Sequence, residues 1–388
     1  MERRNFLRLA GGGTIAAALA PLSGCGSEMP DEAIAAWRGP AADERDARRW
    51  ILAHAILAPH SHNLQSWLVD LSRPDAITLY LDRSRLLPQT DPQSRQMLMS
   101  QGTFLELLEM AARQRGLRAD ITLFPEGEFG PTSVDDRPTA HIRLEPDASV
   151  RADPLFAQVF RRRTNRQPYD ARPPEQAGLD ALAAATAGMP LRSGVVLPHQ
   201  AAALAEHRRI AREAWRIELT TPRTLMESMR LFRVGPKEIA QHRDGISNNE
   251  PLVRMAAALG MLDRSKAPAA DDPAITRQIE RFDTAIAATP AFYWLVSEGN
   301  DRRTQVQAGR AWVRAQLAAT AHGLAMQPIS QALQVYPEVQ GPYRAIHALL
   351  GAPSPQYTVQ MWARLGYAPA VQPAPRRGLE AHLLPQRG

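Results

Sequence analysis

Apolar positions first take on helical spacing between residues 42 and 58, where Trp50, Ile51, His54 and Leu57 share one face. Asp43 and Glu44 suit the first turn of that helix, and Pro59 stops it. Segments 66–71 and 76–82, either side of Arg73-Pro74-Asp75, predict two strands. A helix over 92–116 closes at Gly116, and strands follow at 121–124 and 141–144. Further on, helices are expected at 154–163, 174–187 and 199–218, then an irregular stretch, 220–275, rich in Pro, Asn and Asp with short helical pieces. A strand at 291–297, a long helix at 302–322, a short helix at 337–350 and a strand at 357–363 lead into an arginine-proline tail. Strands mixed with long helices predict an α+β fold, sheets with helices on their faces.

The pattern repeats once. Gly102, Ala111, Ala112, Gly116 and Leu117 match Gly309, Ala318, Ala319, Gly323 and Leu324 at a constant offset of 207. Both segments end in Gly-Leu, where glycine suits a left-handed helix cap. This reads as a diverged duplication, with related halves at 42–150 and 151–388.

The opening residues carry a different signal. Arg3-Arg4 with Phe6-Leu7, followed by small residues from Ala10 to Ala20, has the layout of an export signal and resembles a twin-arginine one. Leu22-Ser23-Gly24-Cys25 resembles the lipobox at which a bacterial lipoprotein is cleaved and acylated. Cys25 is the only cysteine, which excludes a disulfide scaffold. The expectation is a signal over 1–24 read by the twin-arginine machinery and a lipid anchor on Cys25. Residues 25–41 are expected to be a tether, holding a periplasmic, membrane-anchored protein.

Composition narrows the partners. At 44% hydrophobic and 22% charged, the chain can bury a large core and is not disordered. The net charge is +6, but 44 of its 46 basic residues are arginine and they are scattered among 40 acids. With no recognised nucleic-acid module, a nucleic-acid partner is not expected.

Two clusters could carry chemistry. Pro59-His60-Ser61-His62-Asn63-Leu64-Gln65-Ser66-Trp67 crowds imidazole, hydroxyl and amide groups into one loop. With His54 there are three histidines, but five residues and then one lie between them, which fits no common zinc pattern. Ordinary loop capping is an alternative. Arg161-Arg162-Arg163-Thr164-Asn165-Arg166 reads either as a solvated basic helix end or as an anion site, with Arg376-Arg377 adding charge.

Together these clusters resemble the nitroreductase superfamily of flavoproteins, and most of all its Acg-type branch. Arg162, Thr164 and Arg166 match the superfamily's phosphate motif. Pro59, Ser61, Asn63, Gln65 and Trp67 match its Pro-Ser-Ser-x-Asn-x-Gln-Pro-Trp loop, with departures at His60 and Ser66. Residues 309–330 are similar to the helix leading to the flavin, and Arg243-Asp244-Gly245-Ile246 resembles a stretch typical of the Acg branch.

The resemblance implies FMN, held by Ser61, His62, Asn63, Gln65, Arg162, Thr164, Arg166, Met326, Gln327, Pro328, Arg376 and Arg377. Arg166 is implied as the cation facing N1 and O2 of the ring. It also implies two-electron transfer from a small-molecule donor to a nitro, quinone or similar acceptor. In ordinary members two identical subunits share each FMN. Here the ring-binding loop lies in the first half and the phosphate motif in the second. One FMN site between fused halves is therefore expected, in an intrachain pseudo-dimer that is monomeric or part of a higher oligomer. The Acg likeness makes 220–275 a candidate lid. It keeps open a second class, a protein that holds or sequesters flavin with little turnover. A lipoprotein without flavin is the third reading.

Overall fold

The computed structural model describes residues 28–385. Arg3-Arg4 and Cys25, which carry the export and anchor expectations, lie outside the described residues.

The described chain opens with a short helix, α1 (Asp31–Ile34), then α2 (Ala47–Ala55), capped by the Asp46 carboxylate accepting from the Arg48 N–H. Strands β1 (Trp67–Asp70) and β2 (Ala76–Leu81) pair antiparallel with Trp67 opposite Leu81. The long α3 (Arg95–Gln114) precedes β3 (Leu117–Leu123) and β4 (Ala140–Pro146). These strands form one antiparallel sheet in the order β1-β2-β4-β3.

The second half contributes α4 (Gln176–Ala185), β5 (Arg192–Val196) and α5 (Ala201–Thr220). The 220–275 stretch then folds as α6 (Pro222–Arg230), β6 (Phe232–Val234), α7 (Gly235–His242), β7 (Ile246–Asn248) and α8 (Pro251–Ala258), with β6 and β7 a small parallel pair. After it come α9 (Pro273–Ala287), β8 (Ala291–Glu298), α10 (Arg302–Ala321), β9 (Ala325–Pro328), α11 (Gln340–Leu349) and β10 (Tyr357–Gly366). A second antiparallel sheet runs β5-β8-β10-β9. The expected α+β architecture is thus present, as two four-stranded sheets with helices around them.

Helices α3 and α10 have the same length and the same 207-residue offset at both ends. They cross backbone to backbone. A methyl group on Gly102 would meet the Val306 carbonyl oxygen at 2.0 Å, and one on Gly309 would meet that of Met99 at 1.8 Å. Gly309 is Gly102 displaced by the offset, and Val306 is Met99 displaced by the same offset. The contact is therefore reciprocal, as it would be across a two-fold axis. Beside it, Arg310 pairs with Glu106 and Glu109, and Arg314 with Glu106 and Asp153. Val306, Val313 and Leu317 of α10 complete the first half's core, next to Phe104, Leu105 and Leu108.

Several expectations need correction. Residues 154–163 form only a 3-10 turn, Pro154–Gln158, because Asn165 is drawn away to bond the Met326 carbonyl. The stretch 28–41 is no tether: Ala33 is buried and its carbonyl accepts from the Arg376 N–H at 2.8 Å. Helix α9 was not foreseen as a unit, although Ile275, Ile279, Phe282 and Ile286 form its buried stripe behind an Asp272 cap. At the other end the tail returns to the first half, where the Leu384 N–H donates to the Val69 carbonyl at 2.8 Å.

Candidate functional site

Three of the four residues at 62–65 carry a left-handed backbone: His62 (φ 47°), Asn63 (φ 55°) and Gln65 (φ 53°). None is glycine, so the loop is held in a costly conformation by its contacts. The His60 ring does much of that holding. Its Nδ1 lies 2.7 Å from the Ser61 carbonyl, so Nδ1 carries the proton and donates. Nε2 then accepts from the Ser66 N–H at 3.1 Å and the Ser66 hydroxyl at 2.6 Å. The two positions that depart from the superfamily loop are therefore partners. Burial pushes the His60 pKa down to about 3, in keeping with a neutral ring.

The loop's amides are spent on the chain itself. Asn63 donates from Nδ2 to the Pro375 carbonyl at 3.0 Å and accepts from the Arg376 guanidinium. Fully buried Gln65 donates to the Arg243 carbonyl at 2.9 Å and the Asn63 carbonyl at 3.1 Å, and accepts from the Arg377 N–H at 2.9 Å. Gln65 so ties the loop, the 243–245 turn and the tail together. The Ser61 hydroxyl donates to Gln96 at the start of α3, at 3.0 Å. His62 is only half-buried, with Nε2 3.4 Å from the Ser228 hydroxyl on α6. Burial and the charge of Arg166 push its pKa down to about 4.

Arg162 and Arg376, both buried, come from opposite ends of the second half to the end of α2. Arg162 donates from Nη2 to the Leu57 carbonyl at 3.2 Å, and Arg376 from Nη2 to the Ala58 carbonyl at 3.1 Å. The guanidinium carbons of Arg162, Arg163 and Arg376 lie 5.8, 4.5 and 5.4 Å from the centre of one ring, Trp37. Among the described residues, no carboxylate pairs with Arg162, Arg163, Arg166, Arg376 or Arg377. The buried Nε atoms of Arg162, Arg376 and Arg377, and Nε2 of Gln316, have no hydrogen-bond partner.

Burial and the charge of Arg163 push Arg162 down to about 9. Arg376 is lowered further, by burial and then by Arg162 and Arg163, and Arg377 falls to about 10, chiefly through burial. Buried, mutually repelling cations with unused N–H groups call for an anion. The orphaned donors fit a phosphate.

The other expected residues sit nearby in unequal ways. Arg166 is exposed yet hemmed in enough that desolvation lowers its pKa, and it faces His62 and Tyr169. The Thr164 hydroxyl makes no hydrogen bond among the described residues. The Asn165 N–H reaches the Met326 carbonyl at 3.0 Å, stitching the arginine motif to β9. The Met326 side chain is buried in the cluster of Leu182, Tyr293 and Trp312, so a ligand could meet only its backbone. Gln327 accepts from the Arg364 guanidinium, and Pro328 stands opposite Ala363. His54, His60 and His62 do not converge, and no metal-binding cluster exists among the described residues.

Sequence reasoning missed Trp37 and Gln316, and named Arg163 only as part of the basic run. An isolated tryptophan in an otherwise small, polar stretch was the available signal for the first.

No family model matches the chain. It is 29% identical over 357 residues, 88% of its length, to "Putative NAD(P)H nitroreductase Rv3131" of Mycobacterium tuberculosis, spanning 94% of that protein. Over most of its length the chain is thus similar to a protein named as a putative nitroreductase. A second, "Putative NAD(P)H nitroreductase acg" of the same organism, is 30% identical over 127 residues, 31% of this chain and 35% of that one. Among solved structures, the FMN-dependent nitroreductase NfnB from Mycobacterium smegmatis, in complex with NADPH, aligns with 60% of this chain and 98% of its own. That alignment has 20% identity and a TM-score of 0.38.

Proposed function

We propose that this chain is an FMN-dependent oxidoreductase of the nitroreductase type, with one FMN held between its two halves. The observation that carries the reading is the group of buried Arg162 and Arg376 with half-buried Arg377, whose buried Nε donors are unused and which has no carboxylate partner among the described residues. The nitroreductase names of its relatives support it and point to NAD(P)H as donor.

When bound, FMN supplies the two-electron chemistry. Arg162 and Arg376 bind the phosphate, and their repulsion is relieved by its charge. Arg166 keeps a positive charge on the exposed side of His62, where it favours negative charge on a nearby ligand. Neutral His60 fixes the loop without competing as a cation.

The test is the absorbance spectrum and flavin content of the purified protein. One FMN per chain is expected, and the absence of flavin, or two per chain, overturns the reading.

A second reading is favoured by the docking of 220–275 on the ring-binding loop. The Gly245 N–H donates to the Asn63 carbonyl at 3.3 Å. Glu227 on α6 accepts from the Thr90 hydroxyl at 2.6 Å and from the Gln89 and Thr90 N–H groups at 2.9 Å. This segment would then sequester the flavin. Glu227→Ala loosens the latch. A rise in quinone or nitroarene reduction of about tenfold or more, the lower bound for three lost hydrogen bonds, supports sequestration, while unchanged or lower turnover supports the enzyme.

We also propose export by the twin-arginine route and anchoring through Cys25. Mass analysis of protein from the membrane fraction should find an acylated Cys25, and Cys25→Ser should release the protein.

A further inference from the structure

Among the described residues, only four large apolar side chains stand exposed: Leu252, Met255, Leu259 and Met261, at 64, 55, 58 and 56%. All four fall within ten consecutive positions of the candidate lid. At 100° per residue, Leu252, Met255 and Leu259 project within about 60° of one another on α8 and just beyond it. No residue of α8 is buried. The helix therefore turns its apolar stripe to solvent, the reverse of a core-packing helix.

What lies beside that stripe indicates its occupant. The Asn249 side chain, two residues before α8, donates from Nδ2 to the Glu28 carbonyl at 2.6 Å. Cys25, the expected lipid attachment, precedes Glu28 by three residues in the sequence. The described chain therefore begins beside the start of α8, three residues after that attachment. Charge around the stripe is mixed: Lys266 is exposed and pairs with Asp263 at 3.6 Å, and Arg281 pairs with Glu250 at 3.2 Å. Apolar burial, rather than attraction to anionic headgroups, is what this face offers.

We infer that the stripe Leu252, Met255, Leu259 and Met261 docks into the surface of a lipid bilayer, laying the lid segment against the membrane. This rests on the anchoring reading only for bringing the face near lipid. A lipid on a short stretch of chain holds the protein at the bilayer but does not orient it, and a shallow apolar insertion would set the lid segment against the surface.

The experiment uses the exported full chain recovered from membranes and reconstituted in phosphatidylethanolamine–phosphatidylglycerol vesicles containing spin-labelled lipid. A fluorophore is placed on Met255→Cys, or on Ala148→Cys outside the lid, in a Cys25→Ser background wherever Cys25 proves unacylated. Quenching at 255 should exceed that at 148 by about threefold or more and change little with salt, since it depends on insertion. Adding L252S, L259S and M261S should bring it to the level at 148.

Equal quenching at the two positions overturns the inference. A concentration-dependent blue shift at 255 without lipid also overturns it, because the face then pairs two copies of the chain. Mass analysis of Cys25 scores the anchoring reading separately. Quenching at 255 in unacylated protein keeps the docking and removes the anchor; acylated protein without that quenching does the reverse.

Discussion

Trp37 shows how much a single side chain can organise. Three arginines crowd its ring from segments far apart in the chain. Removing one of them should separate binding from stability. In Arg162→Met the flavin-free protein is expected to keep its melting temperature within a few degrees, because a buried unpaired charge is lost together with its hydrogen bonds. Its FMN dissociation constant should rise by roughly 10- to 100-fold, the scale of a charged hydrogen bond. Flavin titration and thermal unfolding of the same samples check both.

At this scale the sequence was partly legible. The resemblance to the nitroreductase superfamily picked out Arg162, Asn63 and Gln65, but not that Asn63 and Gln65 would bond the tail and the 243–245 turn. Those partners lie 178 to 312 residues away, beyond any local pattern.

Among the elements, α3 and α10 were the most legible, since a 20-residue amphipathic run declares itself. Helix α9 has as regular a stripe but follows an irregular stretch, and its start was hidden by the proline that in fact opens it. The 154–163 segment failed for the opposite reason: tertiary bonding of Asn165 to β9 outweighed local propensity. The crossing makes a sharp prediction. Gly309→Ala places a methyl group against the Met99 carbonyl, so the helices must part. A loss of about 1–3 kcal/mol or more is expected in denaturant unfolding, and Gly102→Ala should cost a similar amount. An alanine of equal helix exposure outside the crossing would gain rather than lose stability.

For the whole molecule, protonation sets limits on both sides. Burial lowers His60 and His382 to about 3, and His62, His207 and His347 to about 4. Because these folded-state values lie below the unfolded value of about 6.5, their contribution is complete above that pH and is lost as pH falls toward 4 and 3. Glu218 runs the other way. Burial raises it to about 7, so its contribution is complete below about 4.5 and is lost as pH rises through 7. Asp91, raised to about 6 by burial, acts in the same sense. Glu218→Gln should therefore gain in melting temperature relative to the parent between pH 5 and pH 8. A constant difference across that range would show that Glu218 does not titrate there.

The reciprocal crossing of α3 and α10 has a kinetic meaning as well as a geometric one. Two separate subunits that share a site lose it on dilution, since each encounter is bimolecular. Here both partners of the crossing are tethered in one polypeptide, and their association is a first-order event at a fixed effective concentration. The site between them should survive at copy numbers where a two-chain equivalent would have come apart.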